Sequence, residues 1–424
     1  MTVVHIRPGP VSGTVRAPPS KSYTHRALVV GHLARRTFRV RHPLDSDDTR
    51  ATATSLSRLG SSVSRRASVW QVEPRSRPAR STPVRLDCRE SGTTLRFVAA
   101  VAALSARPTV LSGSDRLSER PIDDLLAALR ALGAQARHTR RRGFPIEIRG
   151  PIHGGRVSLP TSKSSQFASA LLLTLPTLEE DSSVELRGAM VSEPYIRATL
   201  AVLRHLGIRV TQEGRRFRLP GRQKVVGSEF EVPGDASSAA YLWAAAAVGG
   251  GAVRVTGLSD AWPQADLAVL DLLEATGAFV SRHPDGATVS QGPRTPFRAD
   301  LTDAPDLYPL AGVLAATAPG KSRISGARHV VLKESNRRAE TTALARALGA
   351  RVDVSSSGLV IEGRARPRAL RLLRLADHRI VMSAAVGALA ADGPSAVGDG
   401  EAVRKSYPSF WSALSSISAG GRPR

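Results

Sequence analysis

Basic residues recur in this chain where helices ought to begin, the end of a helix that suits them least. Lys21 stands in Pro-Ser-Lys-Ser with Arg26 close behind, Arg96 follows the Glu-Ser-Gly-Thr turn at Gly92, and Arg120 lies in Ser-Glu-Arg-Pro. Lys333 and Arg337 bracket Lys-Glu-Ser-Asn-Arg, Arg379 closes Asp-His-Arg, and Lys405 sits in Arg-Lys-Ser-Tyr-Pro. Polar side chains share these openings, among them Ser22, the run Ser164-Ser165-Gln166, and Ser192 and Tyr195 in Ser-Glu-Pro-Tyr. Helix capping accounts for most of the hydroxyls. It does not account for the cations, which oppose the helix dipole in a first turn. Cations and free N–H groups together at a helix start form an anion site. Eight such cations in matching positions point to a shared pocket for a polyanion.

The cation inventory sharpens this. Of the 60 basic residues only six are lysine: Lys21, Lys163, Lys224, Lys321, Lys333 and Lys405. Much of the formal charge of +24 then reflects a general preference for arginine, and a retained lysine suggests a need for a compact ammonium that can titrate, as arginine cannot. The charge admits nucleic acid, an anionic membrane or small polyanionic substrates as partners. With aromatics at 4%, the stacking platforms of single-strand nucleic-acid binders are scarce. Cys88, the one cysteine, excludes an intramolecular disulfide and any cysteine-based zinc cluster. The opening MTVVHIRPGP has no apolar leader, and the nearly apolar stretch 239–253 is too short to span a bilayer. A cytoplasmic protein is expected.

The elements that carry these residues repeat. A β-type run, a polar turn and an Ala-rich helix recur six times, anchored at Ser22, Gly92, Ser164, Ser237, Asp306 and His378, with spacings of 70, 72, 73, 69 and 72 residues. A second, amphipathic helix ends at Gly60, Gly133, Gly207, Gly277 and Gly349, at spacings of 73, 74, 70 and 72. A sixth copy follows Lys405. Six units of about 70 residues exceed one core and divide into two lobes of three. The Pro-, Gly- and Lys-rich stretch Leu219–Gly227 marks a chain crossing, and Pro18–Pro19 another, so the lobes are residues 20–227 and residues 1–19 with 228–424.

The motifs PSKSYTHRALV, SGTTLR, LSERPI, SSQF, SEPY, PDLYPLA, KESNR, DHRIVMS and KSYPSF, in this order along nearly the whole chain, resemble those of the 5-enolpyruvylshikimate-3-phosphate synthases (3-phosphoshikimate 1-carboxyvinyltransferases). The resemblance implies an α/β (α+β) fold of two similar lobes, each of three inverted βαβαββ-type units, with the active site in the cleft between them. It implies transfer of the enolpyruvyl group of phosphoenolpyruvate to the 5-hydroxyl of shikimate-3-phosphate, by addition and elimination, in chorismate and aromatic amino acid biosynthesis. Carried over residue by residue, it gives shikimate-3-phosphate to Lys21, Ser22, Arg26, Ser164, Ser165, Gln166, Ser192, Tyr195, Asp306 and Lys333. Phosphoenolpyruvate falls to Lys21, Gly92, Arg96, Arg120, Gln166, Arg337, Arg379 and Lys405. Asp306 would accept from the attacking hydroxyl, Glu334 would move a proton near the methylene carbon, and Lys21 would lie between the substrates. The 20–227 lobe would carry mainly the shikimate-3-phosphate site, and the other mainly the phosphoenolpyruvate and catalytic residues. No cofactor or metal, no nucleic acid and no membrane is implied, the chain is expected to be a monomer, and glyphosate is the family's anionic inhibitor.

Three positions depart from the family's pattern. Glu90 stands in the Gly-Thr turn where Asn is usual and is not assigned to binding, Phe97 replaces a common Pro and is expected to reshape the phosphoenolpyruvate pocket, and His329 replaces an Asn. Asp45, Asp47 and Asp48 are read as a helix start rather than a magnesium cluster, and Cys88 as a small core residue. UDP-N-acetylglucosamine enolpyruvyl transferase is the nearest alternative, though Cys88 lies away from the mobile-loop cysteine of that family. A basic RNA-binding or RNA-phosphate-processing protein is the alternative of another class.

Overall fold

The structure is a computed structural model that describes residues 2–75, 82–375 and 377–418. The chain divides into two compact units, Pro19–Pro233 and Met1–Pro18 with Gly234–Arg424.

Within Pro19–Pro233 one repeat shows the plan. Strand Val84–Asp87 leads through helix Gly92–Ala102 to the parallel strand Thr109–Ser112, as a parallel pair requires a crossover. Helix Asp123–Ala131 follows, and the strands Gln135–His138 and Ile146–Arg149 complete a four-stranded sheet in antiparallel fashion. Four other sheets repeat this arrangement of one parallel and two antiparallel pairings. The remaining sheet is three-stranded: Arg371–Leu372 lies parallel to Ser395–Val397, which is closed by the distant strand Val4–Ile6.

Both crossings cut a repeat between its first strand and its first helix. Val11–Arg16 precedes helix Lys21–Leu33 in sequence, yet pairs in parallel with Gly251–Thr256 of the other unit's first repeat. Glu229–Glu231, ahead of helix Ala236–Gly249, pairs in parallel with Phe38–Arg41. The two repeats have exchanged leading strands. The second crossing therefore falls at Pro233–Gly234, six residues beyond the expected lobe boundary at 227, because the strand between still belongs to the earlier sheet.

Composition explains the packing. Every residue of helix Tyr308–Thr317 is buried, and its small side chains let other helices approach closely. A Cβ on Gly312 would overlap Thr341 Cγ2 of helix Arg337–Ala347. The second helices are buried on one face only, as in Glu193–His205. Their terminal glycines have φ of 122°, 103°, 77°, 85° and 89° at Gly60, Gly133, Gly207, Gly277 and Gly349, the left-handed conformation that ends helices and favours glycine.

Candidate active site

In Pro19–Pro233, Lys21 opens its helix and its Nζ lies 3.2 Å from Asp48 Oδ2. Asp48 is itself buried in the first turn of helix Asp47–Leu59, whose start is fixed by a capping box between Ser46 and Thr49. The three aspartates do start a helix, but they then part company: Asp45 pairs outward with Arg50 while Asp48 anchors Lys21. One turn into the Lys21 helix, Arg26 is buried and donates to Thr199 Oγ1 at 2.9 Å, Tyr195 O at 2.8 Å and Ser22 O at 2.9 Å. It ties together the two segments that carry Ser22 and Tyr195. Its guanidinium carbon lies 5.6 Å from the centre of the buried Phe97 ring, so Phe97 supports Arg26.

Gly92 starts the next site helix. A Cβ there would stand 2.5 Å from Arg96 Nη1 and 2.7 Å from Arg120 Cζ, so two guanidinium groups converge on one helix N-terminus. Arg96 is oriented by Gln166 Oε1 at 2.9 Å and by Pro121 O, and Gln166 in turn donates to Thr93 Oγ1 at 3.0 Å. Gln166 thereby joins the Gly92 turn to its own helix, Gln166–Thr174.

The helix starts differ in their side-chain caps. Ser46, Ser91, Ser114, Asp235, Asn336 and Asp377 each accept a first-turn backbone N–H with their own side chain. Ser20, Ser165 and Ser192 make no such side-chain cap. Ser192 also holds φ of 57°, uncommon for a residue with a side chain. These three starts carry the Lys21–Ser22, Ser164–Gln166 and Ser192–Tyr195 sets.

In the other unit the ionic groups gather around Arg337, which is 1% exposed. Its Nη1 donates to Asp306 at 2.7 Å, its Nη2 to Glu334 at 2.7 Å and its Nε to Asp377 at 2.8 Å. Asp306 also meets Arg379 Nη2 at 2.7 Å and Lys333 Nζ at 3.7 Å. Burial alone would raise the Asp306 carboxyl, but Arg379, Lys333 and Arg337 outweigh it and hold the group well below the usual carboxylate range. Lys405 is buried on the turn Gly400–Lys405.

The proposed phosphoenolpyruvate set is not confined to one unit: Gly92, Arg96, Arg120, Lys21 and Gln166 lie in Pro19–Pro233, and Arg337, Arg379 and Lys405 in the other. The remaining doubtful positions resolve individually. Glu90 is exposed, Lys163 pairs with Asp124 at 2.9 Å, and the Arg140–Arg142 run is exposed. Burial, with Lys333 adding to it, pushes His329 down to about 3, so it is neutral. Burial pushes the Cys88 thiol up to about 12, which leaves it inert as a nucleophile. Sequence reading passed over Asp377 and Asp48. The signal for Asp377 was present, since it opens Asp-His-Arg one position before His378; Asp48 reads as a cap because its partner Lys21 lies 27 residues away. Among the described residues no three His, Cys, Asp or Glu side chains gather as a metal site, and no helix is long and apolar enough to cross a membrane.

The sequence profile described as EPSP synthase (3-phosphoshikimate 1-carboxyvinyltransferase) matches residues 6–414. The chain belongs to the EPSP synthase family. A 3-phosphoshikimate 1-carboxyvinyltransferase of Thermococcus kodakarensis is 42% identical over 95% of this chain and 97% of that protein. One of Methanoculleus marisnigri is 40% identical over 96% and 97%. Among solved structures, the EPSP synthase from Acinetobacter baumannii superposes with a TM-score of 0.79 at 25% identity, over 98% of both chains. The enolpyruvyl transferase NikO from Streptomyces tendae, 17% identical at a TM-score of 0.79, shares the fold. The chain is thus a transferase of the shikimate pathway that moves an enolpyruvyl group to shikimate-3-phosphate, and neither alternative reading is favoured.

Proposed function

We propose that this chain's own residues divide the reaction as follows. Lys21, Ser22, Ser164, Ser165, Gln166, Ser192 and Tyr195 receive shikimate-3-phosphate, with the uncapped helix starts donating N–H groups to its phosphate, and Arg26 holding the Ser22 and Tyr195 segments in register. Gly92, Arg96 and Arg120, together with Arg337, Arg379 and Lys405, receive the phosphate and carboxylate of phosphoenolpyruvate. The two substrates carry several negative charges between them, so fixed cations must offset their repulsion.

One observation carries the chemical assignment: Arg337 holds Asp306 and Glu334 on neighbouring nitrogens of one buried guanidinium. Two carboxyl groups are needed because two protons move. Glu334 delivers a proton to the enol methylene carbon, and the 5-hydroxyl oxygen bonds to the adjacent carbon as its proton passes to Asp306. The tetrahedral intermediate then loses phosphate by C–O cleavage, the phosphate leaving with the proton held by Asp306, while the new methyl group returns a proton to Glu334 and the double bond is restored. Asp306 gripped by three cations is always ionised but a weak base. An arriving anion shares Arg337, Arg379 and Lys333 with it, and strengthens the base when the base is needed. The enzyme is proposed to act as a cytoplasmic monomer.

The intermediate's methyl group makes the assignment testable. In deuterium oxide with both substrates, the wild type should place deuterium in the product's methylene group, because any of three hydrogens can leave. Glu334→Gln should suppress this labelling. Labelling at the wild-type rate in Glu334→Gln would remove Glu334 from proton transfer.

A further inference from the structure

Three helices of Pro19–Pro233 are joined by buried hydroxyl groups that have no part in the account above. His25 on helix Lys21–Leu33, Thr52 on helix Asp47–Leu59, and Thr94 with Ser91 at the start of helix Gly92–Ala102 are all buried. His25 Nδ1 lies 2.8 Å from Thr52 Oγ1, and Thr52 Oγ1 lies 2.7 Å from Thr94 Oγ1. Thr94 Oγ1 meets Ser91 Oγ at 2.8 Å and the main-chain carbonyl of Asp48 at 3.2 Å. Asp48 is the partner of Lys21, and Ser91 caps the helix that Gly92 opens.

The supply of hydrogens gives this chain of groups a direction. A hydroxyl donates one hydrogen, and a carbonyl oxygen only accepts. Thr94 therefore spends its hydrogen on the Asp48 carbonyl and Ser91 Oγ, which share it. Thr52 must then donate to Thr94, and His25 must donate to Thr52 from Nδ1. Burial, against the pull of Asp48, pushes His25 down to about 3, so the ring is neutral and Nε2 carries no hydrogen. In keeping with this, Nε2 is buried and meets no hydrogen-bond partner among the described residues.

We propose that Thr94, oriented by Thr52 and His25, is a positioning residue that holds the Gly92 turn in register with Lys21, so that both reach phosphoenolpyruvate together. The proposal rests on the assignment of Gly92, Arg96 and Arg120 to that substrate. Breaking the chain of hydroxyls should act on one side of the site. The Lys21 helix stays tied to the Tyr195 segment through Arg26, which donates to Tyr195 O and Thr199 Oγ1 and does not involve Thr94. The Gly92 turn is left to the Gln166 bonds with Arg96 and Thr93 and loosens against Lys21.

The test measures kcat and both KM values in the full-length wild type, Thr94→Val, Thr94→Ser and Thr52→Val. Thr94→Val keeps the side chain's shape and the N–H that Ser91 accepts, so the helix stays capped. It should raise KM for phosphoenolpyruvate about tenfold and leave KM for shikimate-3-phosphate within about twofold. Thr94→Ser returns the hydroxyl and should return KM to the wild-type value. Thr52→Val should shift KM for phosphoenolpyruvate in the same direction, and carries the test if Thr94→Val does not fold. Proton–nitrogen-15 correlation spectra of histidine-labelled enzyme should show His25 in the neutral Nδ1–H form, with a signal that moves in Thr52→Val. Equal rises in both KM values, no rise in either valine variant, or an Nε2–H form of His25 would overturn the proposal. The assignment of the phosphoenolpyruvate site fails separately, if Arg120→Ala leaves KM for phosphoenolpyruvate unchanged.

Discussion

Asp306 is the residue on which the chemistry converges, and the cost of losing it should be catalytic rather than structural. It is only partly buried, and Arg337 keeps Glu334 and Asp377 as partners without it. Asp306→Ala is expected to lower kcat by about 10²–10⁴, the usual worth of a general base, with an unchanged circular dichroism spectrum. Lys21 tests a different property. An arginine there would reach Asp48 but could neither fit the ammonium's volume nor release a proton, so Lys21→Arg should keep less than a tenth of the activity, about 1.4 kcal/mol in barrier. Retention of more would show that neither compactness nor titration matters. Gly92→Ala places a methyl group against Arg96 and Arg120. It should weaken glyphosate, the longer ligand, more than phosphoenolpyruvate, as read from the inhibition constant against KM; equal losses would contradict that placement. At this scale the sequence displayed the cations and Asp306 through their motifs. It hid Asp48, whose partner Lys21 is brought close only by folding.

Ser46 and Ser165 stand at helix starts of different kinds, and stability and affinity should separate between them. Ser46 caps its helix and Ser165 does not. Ser46→Ala should lower unfolding free energy by about 1 kcal/mol, measured by denaturant titration. Ser165→Ala should leave the unfolding midpoint in place and weaken shikimate-3-phosphate binding, measured by calorimetry. The reverse pattern would mean that the uncapped starts are defects rather than binding groups. Helix ends were readable from sequence, because a terminal glycine at positive φ is a local requirement. The exchange of leading strands was not. Val11–Arg16 has an ordinary strand pattern, and nothing within it names Gly251–Thr256 as its neighbour.

For the whole molecule, that exchange predicts where the chain can be cut. A fragment of residues 19–233 contains all four strands of its first sheet, Glu229–Glu231 included, and should fold cooperatively by itself. Ending it at residue 227 would leave Phe38–Arg41 as an unpaired edge, with a lower midpoint and a tendency to aggregate. Equal midpoints would show that the strand contributes little. The six-fold period and the ordered motifs made the architecture and family legible, since both recur along the sequence. The boundary was misjudged because composition marks a linker, whereas sheet membership is decided by pairing. The central claim, that these helix openings serve enolpyruvyl transfer between two anionic substrates, is tested most directly by phosphate release from phosphoenolpyruvate. Release should require shikimate-3-phosphate and cease when either substrate is omitted. Equal release without shikimate-3-phosphate, or none with both present, would contradict it.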